Sequence, residues 1–219
     1  HLSIRRQRQM CIRDSFPVMC GLKDNTYLLD GVPYHMNKHG FARDCVFEVV
    51  EHTDTKASFR LTDNEETRRM YPFSFTLTVT HTLAENRLIK CHRVENRSEQ
   101  VMYYELGVHD GFRAPLEEGE TMGQYAIRLP GLEDAIEPYG LNEQSLVTPK
   151  NGTIALENGR IALDPTTYHL DTVILDQPPQ ARAVLVDGQD RPRVTADFAD
   201  FPYLGIWTQA KPFDTNYVC

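Results

Sequence analysis

Two histidines in short glycine and aromatic settings are the residues best suited to chemistry. They are His39-Gly40-Phe41-Ala42-Arg43 and Gly107-Val108-His109-Asp110-Gly111-Phe112. Glycine beside each imidazole lets backbone or ligand approach closely, and a nearby Phe offers an apolar face to the C–H side of a pyranose ring. Histidine titrates near neutrality, which suits it to moving protons on a sugar. Phe112 is thus a candidate ring platform, and Arg43 a candidate for holding a sugar hydroxyl, with a brace of the loop against Glu48 or another acid as the alternative. If Val101 to His109 is a regular strand, then Tyr103, Glu105, Gly107 and His109 share one face, and Glu105 approaches the same cleft. His35 and His39 have the spacing of a helical zinc pair, but Pro33, Asn37 and Gly40 argue against a helix there. No metal is therefore expected.

The elements that must carry these residues read as β-structure. Phe73, Phe75, Leu77 and Val79 alternate with Ser74, Thr76, Thr78 and Thr80, the period of a half-buried antiparallel strand. Ala84-Glu85-Asn86-Arg87 connects it to a strand near Leu88 to Val94, and Asn96-Arg97-Ser98-Glu99 turns into a third over Val101 to Val108, which makes a meander. Further strands are expected at Val46 to Val50, Ala57 to Leu61, Tyr125 to Leu129, Thr172 to Leu175, Ala183 to Val186, Val194 to Phe198 and Tyr203 to Trp207. Asp187-Gly188-Gln189-Asp190 reads as a hairpin turn. Asn64 can cap one helical turn through Met70, which Pro72 stops. The stretch from Leu129 to Lys150 reads as a long loop, a length that suggests a functional or rim feature. Many short strands with Gly, Pro, Asn and Asp punctuation define an all-β protein, a large antiparallel β-sandwich.

Composition narrows the partners. With 31 acidic against 23 basic side chains in 219 residues, the chain has a formal charge of -8, the wrong sign for nucleic acid. No apolar stretch approaches the roughly 20 residues of a membrane span, and no secretory h-region opens the chain, so a cytoplasmic protein without membrane contact is expected. The cysteines, 11, 20, 45, 91 and 219, show no C-x-x-C spacing, which fits reduced and mostly buried thiols better than disulfides or zinc. Residues 1–15 hold an arginine-rich run without strand or helix period. The run resembles a translated sequencing adapter and is set apart from the fold, leaving 16–219 as one β-sandwich domain.

The order of the two histidine motifs, with Asp63-Asn64-Glu65-Glu66-Thr67-Arg68-Arg69-Met70-Tyr71-Pro72-Phe73 between them, resembles the aldose 1-epimerase (galactose mutarotase) superfamily in its bacterial LacX-like branch. The resemblance implies a galactose mutarotase-like supersandwich that interconverts the α and β anomers of aldohexoses. The reaction deprotonates the C1 hydroxyl and protonates the ring oxygen, so the ring opens, rotates and recloses, and needs no cofactor. By the same resemblance His109 is the ring-oxygen acid, His39 bonds the sugar, and Asp171 binds sugar hydroxyls. The family's general-base Glu follows a strand like Tyr217-Val218-Cys219 and so is expected beyond the last residue, while Gly21 stands near the position of a site Arg. The chain is accordingly expected to be a piece clipped at both ends and nearly inactive as it stands. A non-catalytic carbohydrate-binding sandwich and a hexose-6-phosphate mutarotase are the alternatives.

Overall fold

The computed structural model describes residues 14–150, 152–164, 167, 172–208 and 217–219. They divide into two compact units, one within 14–108 and one within 109–219.

The first unit runs through β1 (Thr26–Leu29), β2 (Val32–His35), β3 (Glu48–His52), β4 (Lys56–Thr62), helix α1 (Glu65–Met70), β5 (Phe75–Ala84) and β6 (Arg87–Asn96). β3 to β6 form a four-stranded antiparallel sheet in sequence order. The expected alternation sets its register: Leu77 lies opposite Leu61 on one side and Val94 on the other, and Phe75, Leu77 and Val79 turn inward. The β5–β6 pairing continues without a break from Phe75↔Asn96 to Ala84↔Arg87, across a turn in which Glu85 takes a positive φ. Asn64 caps α1 as its sequence predicts. Its side chain accepts from the Thr67 amide while Thr67 Oγ1 accepts from the Asn64 amide, and the helix ends at Tyr71 before Pro72. The core is aromatic, with Phe16, Phe41, Tyr71, Phe73 and Phe75 all buried. The rings of Phe16 and Phe75 lie 5.2 Å apart, and those of Tyr71 and Phe73 lie 4.7 Å apart.

One expectation for this unit needs correction. Val101 to Val108 is not a third strand of a meander. Its ladder partners are Ser15, which exchanges both backbone bonds with Gly107, and Pro17, whose carbonyl accepts from the Glu105 amide. Pro17 has no N–H to return, so the pairing stops at an isolated bridge. Ser15 is also fully buried, and Asp14 receives Lys90 Nζ at 3.1 Å and His92 Nε2 at 2.8 Å. Residues 14 and 15 are thereby bonded to the chain of this unit.

The second unit contains β7 (Phe112–Arg113), β8 (Ala126–Arg128), β9 (Ala135–Ile136), β10 (Tyr139–Leu141), β11 (Val147–Lys150), β12 (Ile154–Ala155), β13 (Arg160–Ala162), β14 (Thr172–Asp176), β15 (Arg182–Val186), β16 (Pro192–Asp197), β17 (Tyr203–Trp207) and β18 (Tyr217–Val218). One sheet has the order β11-β10-β14-β17 and a second β13-β8-β15-β16; β12 pairs β9, and β18 pairs β7. Ile127, Ile161 and Leu185 from the second sheet share a core with Val173, Leu175 and Ile206 from the first. Tyr125 is the large aromatic buried in this mostly aliphatic core; its hydroxyl donates to the Glu120 carboxylate and accepts from the Leu116 amide. The stretch from Leu129 to Lys150 is not one long loop, because it holds β9, β10 and β11. Two- to four-residue strands are too short to show a period in sequence.

The turn between β15 and β16 forms as expected around Asp187. Its carboxylate, almost fully buried, accepts from the amides of Gln189 and Arg191 and from the guanidinium groups of Arg191 and Arg193. Burial alone raises its pKa; these donors outweigh that and hold it at about 2. The cysteines depart from expectation. Cys20 and Cys45 are free but only half-buried, Cys91 is free and exposed on the edge strand β6, and Cys219 is disulfide-bonded.

Candidate functional site

His39 sits in a tight turn with little conformational freedom. Its φ is 68° and that of Gly40 is 71°, both in the left-handed region. The Gly40 amide donates to the Asn37 carbonyl at 2.9 Å and the His39 amide to the Cys20 carbonyl at 2.9 Å. Gly40 passes so close to Phe16 that an added Cβ would lie 2.1 Å from the Phe16 carbonyl oxygen, so only glycine fits. The Phe16 oxygen then receives the amides of both Phe41 and Ala42. The His-Gly-Phe-Ala run is thus stapled to the backbone of Phe16, and Phe41 packs its ring into the aromatic core. Ser15 Oγ lies 3.0 Å from His39 Nδ1, which orients the half-buried imidazole.

Arg43 follows on a short 3-10 turn, half-buried. It does not brace Glu48, whose carboxylate takes Arg60 at 2.8 Å instead. Glu105 is exposed. Its Oε2 accepts from the Met19 amide at 2.6 Å, so the carboxylate serves the chain next to Cys20. Burial raises the Cys20 thiol pKa, Lys38 opposes that, and Glu105 adds to it. The face shared by Tyr103, Glu105, Gly107 and His109 required a regular strand. That strand does not form, and the alignment lapses with it.

In the second unit His109 meets Trp207 edge to face, with centroids 6.2 Å apart and planes at 75°. Trp207 ends β17, and its other aromatic neighbour is Tyr217, at 5.9 Å and 36°. The backbone of Trp207 exchanges two hydrogen bonds with Cys219, at 2.7 and 2.8 Å. The hydroxyl of the fully buried Thr208 donates to the Tyr217 carbonyl at 3.1 Å. Phe112 is half-buried in β7, opposite Val218, and packs on the aliphatic core. Asp171 lies outside the described residues. His35 is in strand β2, so its spacing from His39 is not that of a helical pair. Among the described residues no three His, Cys, Asp or Glu side chains gather where they could hold a metal ion.

Sequence reasoning singled out neither Ser15, set apart with the N-terminal run, nor the ring pair around His109. The signal for the latter was present: Trp207 is the single tryptophan of the chain, at the end of a predicted strand.

The all-β architecture of antiparallel sheets around packed cores is that of the galactose mutarotase-like β-sandwiches. A galactose mutarotase related enzyme from Lactobacillus acidophilus superposes with a TM-score of 0.81 at 31% identity, covering 94% of this chain and 68% of that one. A galactose mutarotase-like protein from Lactobacillus casei ATCC 334 gives 0.81 at 28% identity, with coverage of 94% and 70%. The aldose 1-epimerase family model matches residues 19–219, and the chain belongs to that family. It is 29% identical over 182 residues to the plasmid-borne protein LacX of Lactococcus lactis subsp. lactis, covering 81% of this chain. The chain spans 61% of LacX. No described helix is long and apolar enough to cross a membrane.

Proposed function

We propose that the protein is a mutarotase, an isomerase that interconverts the α and β anomers of a free aldohexose by acid–base ring opening and reclosure. The family match across residues 19–219 carries the reading, and both glycine-flanked histidines lie inside it. His109 is assigned the ring-oxygen proton and His39 a hydrogen bond to the sugar, with Asp171 and Arg43 on its hydroxyls. A neutral imidazole held by a neighbour can donate or accept without metal help. Ser15 on Nδ1 directs the other nitrogen of His39 to a ligand. Glu105, committed to the Met19 amide, is a support of the His39 turn in this reading and not the base. Phe112, packed on the core, is given no contact with the sugar. No cofactor takes part, and the substrate is a monosaccharide handled in the cytoplasm.

Polarimetry of freshly dissolved α-D-glucose and α-D-galactose tests this, using the chain alone and the chain extended by the C-terminal segment of LacX. Faster approach to anomeric equilibrium by the extended protein, unchanged by a chelator, is the expected result. An extended, folded protein that leaves the spontaneous rate untouched would overturn the proposal. Restoration of a chelated activity by a divalent ion would overturn its metal-free mechanism.

A further inference from the structure

We infer that Trp207 is the aromatic shelf on which the sugar's apolar face rests, beside His109. The inference rests on the mutarotase reading above and adds to it a binding residue that the histidine motifs do not contain. Its basis is an arrangement inside the second unit: an indole at the end of β17 with an imidazole edge-on at 6.2 Å and a second ring, Tyr217, at 5.9 Å.

The backbone that carries the indole is held in place. Trp207 exchanges both backbone hydrogen bonds with Cys219, its neighbour Thr208 is fully buried, and the Thr208 hydroxyl holds the Tyr217 carbonyl. Ile206, one residue back along the strand, is buried in the core, which fixes the direction in which β17 leaves the sheet. Yet Trp207 itself is only half-buried. A large, partly exposed aromatic side chain on a fixed backbone, touching a titratable imidazole, is the combination that sugar chemistry requires. A pyranose carries C–H bonds on its faces and hydroxyls round its rim, so an aromatic plane binds it without competing for its polar groups. A ring resting on Trp207 keeps its oxygen beside the imidazole that already borders the indole, which turns proton transfer into a positioned step. Phe112 cannot take this part while it packs on the core opposite Val218.

Trp207 is the single tryptophan, so selectively excited emission from the full chain reports on this one ring. Titration with D-galactose or D-glucose should shift that emission saturably. Sorbitol, which has the hydroxyls but no ring face, should not shift it. Saturation-transfer NMR gives an independent measure of sugar binding and needs no general base. By it, Trp207→Leu should weaken binding by ~10-fold and Trp207→Phe by about threefold or less, as expected for loss or retention of an aromatic face. Sugar that binds by NMR while the emission stays constant and Trp207→Leu binds normally would overturn the shelf and leave the mutarotase reading standing. Absence of binding by both methods would overturn the two together. The emission titration needs no variant, so a misfolded Trp207→Leu protein does not remove the test.

Discussion

The two histidine regions are held in different ways. In the first unit the backbone does the holding: His39 and Gly40 lie in left-handed conformations, the Phe16 carbonyl takes two amides of the turn, and Ser15 orients the ring. In the second unit His109 borders a neighbouring ring, Trp207, whose place is set by strand pairing with the chain near Cys219. The packing differs in parallel, with clustered aromatic rings behind His39 and aliphatic side chains from two sheets in the unit of His109. Backbone-held sites tolerate almost no change at the turn itself. Ring-held sites depend on a residue distant in sequence.

The largest effect should come from the imidazoles. In the C-terminally extended protein, His109→Asn should lower kcat by about 10²–10⁴-fold, the usual worth of a positioned acid. His39→Asn keeps a residue that tolerates the left-handed backbone, so the turn should survive, with KM rising more than kcat falls. Equal losses of kcat in both variants would erase the distinction between acid and sugar ligand.

Core truncations come next and compare the two packings. Phe75→Ala removes a fully buried ring from the aromatic cluster and should cost about 3–5 kcal/mol. Ile161→Val in the aliphatic core should cost about 0.5–1.5 kcal/mol, both read from urea midpoints. A smaller loss for Phe75→Ala than for Ile161→Val would mean that the aromatic cluster is not what supports the first unit.

Two glycines sharpen the claim about the turn. Gly40→Ala combines a φ of 71° with a collision against the Phe16 carbonyl and should destabilise by on the order of 3 kcal/mol. Gly31→Ala has a φ of 81° but nothing within 4 Å, so only the backbone strain of about 1–2 kcal/mol remains. Comparable losses at the two sites would show that the close approach to Phe16 is unimportant.

The smallest effect concerns acid. Asp187 has its pKa lowered from 3.8 to about 2 in the folded protein. Its ionised form therefore contributes stability that is complete above pH 3.8 and fades as pH falls toward 2. Asp187→Asn should lower the urea midpoint at pH 7, with the gap from the parent narrowing steadily between pH 4 and 2. A gap that does not change with pH would show that the carboxylate's charge is irrelevant to the turn.

Much of this architecture could be read locally. The alternation over 73–80, the Asn64 cap, the Pro72 stop and the turn at Asp187 each rest on residues within one element or one turn, where periodicity and capping chemistry act. The His39 turn was legible for the same reason: its glycine neighbour marks a special backbone, and His39 and Gly40 indeed have positive φ. What failed was non-local. Val101 to Val108 has the composition of a strand, but the chain it meets includes Pro17, which cannot complete a ladder. The stretch 129–150 hides three strands too short to show a period. Ser15 on His39, Glu105 on the Met19 amide, and Trp207 beside His109 join positions 24, 86 and 98 residues apart. The sequence by itself determined the strand-rich class, the capped turn and the chemistry available at two histidines, because those follow from neighbours a few residues away. Tertiary structure alone decided which groups orient each imidazole, because side-chain partners across such separations are chosen by packing and leave no periodic trace.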